Sequence, residues 1–230
     1  MIDSVRTTVL AVANKHNFGY ISPADFNLYA KQAQLDIFED YFYRYNEWLV
    51  KQNSRVSGSG YADIVKNIEE AIDIFSSVNT PSTSNAPVFA LPTDYHLINV
   101  VKYGTKEVER VSQNKILNLT SSHLTSPTTT FPAYVMSGSN ITVYPSTIAS
   151  NITIQYIRKP ADPKWTYVSL SNGEPVFSAS ASDYQDFELP ASDEPTLVNK
   201  ILKYAGVSIR ETTVYQTSEI QENKEIQKQG

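Results

Sequence analysis

Between residues 22 and 50 the chain reads SPADFNLYAKQAQLDIFEDYFYRYNEWLV, and its apolar positions recur at helical spacing. Taken at about 100° per residue, Phe26, Ala30, Ala33, Ile37, Tyr41, Tyr45 and Trp48 share one face. Leu28, Leu35, Phe42 and Leu49 recur every seventh residue roughly a third of a turn away, while Gln32, Asp36, Glu39, Asp40 and Glu47 occupy the remainder. Ser22 offers an N-cap hydroxyl, Pro23 suits the first helical position, and Asp25 stands three residues after the cap. A long helix with two apolar surfaces is expected.

Shorter patterns flank it. Asp3 or Ser4 is expected to cap a first helix with Val5, Val9, Val12 and Ala13 on one side and a Gly-bearing stop at 17–19. After the SGSG turn at 57–60, Tyr61, Ile64, Val65, Ile68, Ala71, Ile72 and Phe75 predict a third helix, the antiparallel partner of the second. It covers one face of the long helix and leaves the stripe of Leu28, Leu35, Phe42 and Leu49 over. Burying one large apolar side chain contributes about 1.5 to 3 kcal/mol. These four residues are therefore expected to form a subunit interface.

At 76–87 the sequence SSVNTPSTSNAP is too polar and Pro-rich for regular structure and predicts a boundary. Beyond it the period becomes two: LINVVKYG, VERVS, AYVMS, NITVYP and NITIQYIRKP are β-branched and aromatic runs bounded by turn residues. Ser137-Gly138-Ser139-Asn140 joins two of them as a hairpin, and Tyr144-Pro145 closes its second arm. Residues 119–132 read as a long Thr-rich loop of the kind that serves an interface. Weaker strand signals lie at 165–168 and 176–177, and 183–190 reads as a short helix or extended chain. Ser192-Asp193-Glu194-Pro195 opens a last helix with Leu197, Val198, Ile201, Leu202, Ala205 and Ile209 on one stripe. The expected fold is α+β. An N-terminal helical part (1–78) and a C-terminal helix (191–216) form a bundle around an inserted antiparallel β-region (88–190), followed by a polar tail (217–230) that is disordered or lies on a partner.

Composition narrows the function. At a net charge of −5, with 19% charged residues, the chain offers no broad basic face for a phosphate backbone. Having no cysteine, it has no disulfide, thiolate metal site or cysteine nucleophile, so any assembly is noncovalent. The longest apolar run falls far short of the roughly 18 residues that a spanning helix needs, and the N-terminus lacks the pattern of a secretion signal. Neither membrane insertion nor secretion is expected. His16, His96 and His123 show no metal-ligand spacing, and with only eight glycines the chain holds no phosphate-binding loop and no nucleophile-elbow motif. Neither catalysis nor a cofactor is expected. The Asn-x-Thr triplets at Asn118, Asn140 and Asn151 are expected by chance in an Asn- and Thr-rich chain. Asp36, Glu39, Asp40 and Glu47 read as a solvated helix face; in an annular assembly they are candidate channel-lining residues whose charge repels DNA phosphates.

The order of segments carries a resemblance. A capped ISPADFNLYAKQAQLDIFEDYF helix, the turn and strand LPTDYHLINVVKYG, the hairpin TFPAYVMSGSNITVYPS, the strand ITIQYIRKP and a closing DEPTLVNKILKYAGVSIRE helix follow one another. This order resembles the head-to-tail adaptor, or ring, proteins of short-tailed bacteriophages, and its Tyr-, Asn- and Thr-rich character is similar to that of the crAss-like phages. The resemblance covers most of residues 18–216 in pattern, and its motifs are short and unspecific. It implies a structural virion protein, made in the host cytoplasm, that forms a homo-oligomeric and typically dodecameric ring beneath the portal protein. Such a ring contacts other tail and ring proteins, and genomic DNA passes through its channel. It implies no catalysis. The rival expectation is a β-rich receptor- or glycan-binding module of a tail fibre or capsid decoration, motivated by the aromatic strands and the Thr-rich loop.

Overall fold

A computed structural model describes residues 1–15, 21–53, 62–171, 173–208 and 220. The fold is α+β and divides into a helical unit, Met1–Ile74 with Pro160–Gly230, and a β unit, Phe75–Lys159. The divisions fall at 74/75 and 159/160 rather than at 78 and 190, so the stretch 160–190 that reads as β-region belongs with the helices.

In the helical unit, α1 (Ile2–Lys15) buries Ile2, Val5, Val9 and Ala13, while Val12 is exposed. Asp3 is not its cap. It lies inside the first turn, where its Oδ1 accepts from the indole Nε1 of Trp165 at 2.9 Å. Asp186 serves that end instead: its Oδ1 accepts from the backbone N–H of Ile2 at 2.7 Å, an acid at the positive end of the helix dipole. The long helix α2 (Pro23–Asn53) starts as the sequence predicts, with the Asp25 N–H donating to Ser22 Oγ at 3.2 Å and that hydroxyl donating to Asp25 Oδ2 at 2.6 Å. Phe26, Ala30, Ala33, Ile37 and Tyr41 are buried along it, together with Phe38 and Gln34. Helix α3 (Ala62–Asp73) packs on α2, and α5 (Glu194–Ser208), entered through a 3-10 turn at Ala191–Asp193, packs on both α1 and α2. Leu197, Ile201, Leu202 and Ala205 form the buried stripe of α5. The stop at 17–19, the SGSG turn, Ile209 and all of the tail except the exposed Ile220 lie outside the described residues, as do the side chains of Trp48, Leu49, Tyr61, Ile64 and Val65.

The segment 160–190 contributes one small ribbon, β9 (Tyr167–Ser169) against β10 (Pro175–Phe177), and is otherwise irregular; 183–190 forms no helix. Side chains hold it in place. Asn27, Lys31 and Gln34 lie at i, i+4 and i+7 on one side of α2. Asn27 exchanges two hydrogen bonds with the backbone of Trp165, Lys31 pairs with Asp162 at 2.6 Å, and Gln34 bonds the chain at both Ala161 and Glu188. Trp165 fills the space between them, stacked with Tyr167 and Phe177 at 5.6 and 5.9 Å between centroids and with the Arg6 guanidinium 3.8 Å from its ring centre.

The β unit contains β1 (Ser76–Asn79), β2 (Val88–Ala90), β3 (Tyr95–Tyr103), β4 (Lys106–Glu107), β5 (Glu109–Arg110), α4 (Gln113–Ser121), β6 (Ala133–Ser137), β7 (Asn140–Tyr144) and β8 (Ile152–Arg158). One sheet has the order β1-β8-β3-β4 and the other β2-β7-β6-β5. All pairings are antiparallel except β5 with β6. Phe89, Val101, Ile141, Val143, Ile152 and Ile154 are fully enclosed in its core. The β6–β7 hairpin forms where predicted: Ser137 pairs with Asn140, and Gly138 takes φ +59° at the first central position, where a tight hairpin turn requires left-handed backbone.

Three expectations are corrected here. The third helix ends at Asp73, and Phe75, expected on its face, lies beyond its end as the first residue of the β unit, buried and with its carbonyl accepting from the Arg158 N–H at 2.9 Å. The first four residues of the polar stretch 76–87 form an edge strand, because β1 takes its hydrogen bonds from β8 along one side only and needs no apolar run. Finally, the supposed loop at 119–132 begins inside α4, a short helix capped by Ser112 Oγ with Ile116 as its buried residue.

Candidate functional site

Helix α2 is the longest element, and its outward face is the candidate site. Leu28 is 64% exposed, whereas Leu35 and Phe42 are half-buried and the Leu49 side chain lies outside the described residues. The Phe42 ring meets Phe38 edge-on at 5.1 Å between centroids, so the protein's own core shields part of the leftover stripe. Two further residues belong to it. Tyr43 and Val50 are 63% and 67% exposed and project within roughly 60° of Leu28 at 100° per residue. The sevenfold spacing hides them, because on a straight helix a strict heptad line drifts by about 20° each repeat. By the fourth turn Phe42 has rotated toward the core and Tyr43 toward solvent. The surface is thus Leu28, Tyr43 and Val50, floored by Leu35 and Phe42.

The four acids do not share one environment. Asp36 is half-buried and committed to its own chain: it accepts from Gln32 Nε2 at 3.2 Å and from the Tyr204 hydroxyl of α5. It is therefore not the freely solvated charge that the pattern suggests. Asp40 is half-buried and pairs with Arg44 at 3.5 Å, one turn along the helix. Glu39 and Glu47 are exposed, and Glu47 accepts from the Tyr43 hydroxyl at 3.4 Å, beside the apolar surface.

On the opposite side of α2, the buried Tyr41 donates its hydroxyl to Asp193 at the entry to α5. Burial first, and then the Asp193 carboxylate, push this phenol well above its ordinary value. A raised folded-state pKa stabilises the fold fully below the ordinary phenol value of about 10, and that stability is lost as pH climbs beyond it. Thermal melts at rising alkaline pH are expected to fall more steeply for the wild type than for Tyr41→Phe. Parallel slopes would mean that Tyr41 does not couple proton binding to folding.

His96 and His123 are both exposed, and His16 lies outside the described residues. Among the described residues, no three His, Asp or Glu side chains gather into a metal-binding group, and no helix is long and apolar enough to cross a membrane. No known protein-family model matches the sequence, and no characterised protein matches it significantly.

Proposed function

We propose that this protein is a structural, non-enzymatic virion protein that assembles with copies of itself into a ring in the head-to-tail connector of a short-tailed bacteriophage, next to the portal and other tail proteins, with the genome passing through the channel. The observation that carries this reading is the exposed apolar surface of Leu28, Tyr43 and Val50 on the longest helix. Each large apolar side chain transferred out of water contributes about 1.5 to 3 kcal/mol, and Leu28 toward the start of this face with Tyr43 and Val50 toward its end would gain that on meeting a neighbour. A patch that meets a different surface of an identical neighbour generates a ring when the rotation closes. The α+β arrangement with an inserted β unit accords with the resemblance.

Leu28 makes the sharpest test, because Leu35 and Phe42 are partly covered by their own chain and their substitution would disturb folding as well. Sedimentation of the purified wild type is expected to show a closed oligomer. Leu28→Asp should sediment as a monomer while keeping its circular dichroism and melting temperature. A wild type that stays monomeric at every concentration overturns the reading, and a trimer with carbohydrate affinity favours the rival module of a tail fibre or capsid decoration.

A further inference from the structure

The β unit carries a second apolar surface whose charge is opposite to that of the helical unit. After α4 the chain makes two hydrogen-bonded turns. In the first, the N–H groups of Thr125 and Ser126 donate to the Ser122 carbonyl at 3.2 and 3.0 Å, and Thr125 Oγ1 donates to the Leu119 carbonyl at 3.1 Å. In the second, the Thr128 N–H donates to the Phe131 carbonyl, and the Phe131 N–H donates to Thr128 Oγ1, each at 3.2 Å. This ordered segment holds Leu124 94% and Phe131 78% exposed. Its base is gripped by Lys106, an exposed residue whose Nζ donates to the Thr129 carbonyl at 3.2 Å. A loop that spends its hydrogen bonds on presenting a Leu and a Phe to water is shaped as a knob for another surface.

Charge selects that surface. The β unit, residues 75–159, has six Lys and Arg against three Asp and Glu, a net +3, whereas the rest of the chain has thirteen against twenty-one, a net −8. The exposed face of α2 combines apolar groups with carboxylates, Leu28, Tyr43 and Val50 beside Glu39 and Glu47. Opposite potentials steer encounter and set the register of a contact, while like-charged surfaces resist it.

We infer that the 122–131 knob of one copy docks onto the α2 face of the next copy, Leu124 and Phe131 against its apolar side chains and Lys106 toward Glu39 and Glu47. The inference rests on the proposed ring assembly and identifies the two surfaces that meet. The contact is heterologous, since knob and seam are different surfaces, and it assigns Glu39 and Glu47 to the subunit interface rather than to the lumen.

A mixing experiment tests this. A knob variant (Leu124→Ser with Phe131→Ser) and a seam variant (Leu28→Asp) are each expected to be monomeric, because every contact needs one intact surface of each kind. Mixed in equal amounts, they should form a heterodimer and nothing larger, because the intact knob of the seam variant fits the intact seam of the knob variant and no surface remains to continue the chain. Rising ionic strength should weaken the heterodimer, since exposed charges are screened. All substituted positions are exposed, so circular dichroism and melting should match the wild type. If the wild type assembles but the mixture stays monomeric, or if the knob variant still assembles alone, the knob-to-seam contact is overturned while the ring reading stands. A wild type that never assembles overturns both.

Discussion

Trp165→Ala is expected to remove about 3 to 5 kcal/mol from the stability of the helical unit, the range for emptying a large aromatic site that cannot collapse. Trp165 is only 2% exposed and sits in a segment with little regular structure of its own, so the ring acts as the core around which 160–190 folds. Its loss removes the stack with Tyr167 and Phe177, strips the buried Arg6 of its aromatic cover, and leaves Asp3 Oδ1 without the indole N–H. Tyr167→Ala serves as the control. That ring is 47% exposed and stacks on one side of the indole, so its removal should cost clearly less. Denaturant unfolding followed by circular dichroism measures both. Because the chain divides into two units, hydrogen exchange adds a further check: in the Trp165 variant the amides of α1 and α2 should lose protection before those of β3 and β8. Equal loss throughout would mean that the units unfold as one.

How much of this was legible in the sequence differs by region, for physical reasons. The core face of α2 from Phe26 to Tyr41, its Ser22–Asp25 start, Leu197, Ile201, Leu202 and Ala205 of α5 and the β6–β7 hairpin follow from local rules of periodicity, capping and turn geometry, and each stands where those rules put it, whereas Tyr45 and Val198 are only half-buried. Elements held mainly by their neighbours were not legible. Strand β1 is polar because it is an edge that needs backbone partners from β8 alone, and α4 is too short for periodicity to separate it from a loop. The segment 160–190 reads as more β-region because its aromatic runs resemble strands, yet Trp165 is buried against helices and the described pairing is a three-residue ribbon and a single bridge between Lys164 and Gln185. On the candidate site, Leu28 was legible from the heptad line, whereas Tyr43 and Val50 were masked by its drift around a straight helix. The pairing of Asp36 with Tyr204 brings together residues that are distant along the chain, which no local pattern reports.

Gln34 extends the same logic to a second large effect. A glutamine in a helix next to Ala33 and Leu35 looks like an ordinary surface position, yet Gln34 is 1% exposed. Its Nε2 donates to the Ala161 carbonyl at 2.7 Å, and its Oε1 accepts from the Glu188 N–H at 3.1 Å. Glu188 returns a third bond, its Oε2 accepting from the Ala161 N–H at 2.8 Å, so one amide fastens both ends of 160–190 to α2. Leucine at this position is nearly the same size, raises apolar content and suits a helix, so propensity and burial alone predict a neutral or stabilising change. The hydrogen bonds predict the opposite. Gln34→Leu leaves the part-buried Ala161 carbonyl and Glu188 N–H without these partners, so a loss of about 1 to 3 kcal/mol is expected. The matched control is Gln32→Leu, two residues away and exposed, where only the bond to Asp36 is lost and the change should stay within about 0.5 kcal/mol. Denaturant midpoints of the two variants decide the matter. If both shift equally, the Gln34 amide does not clamp the irregular segment, and Trp165 with Asn27 and Lys31 holds it instead.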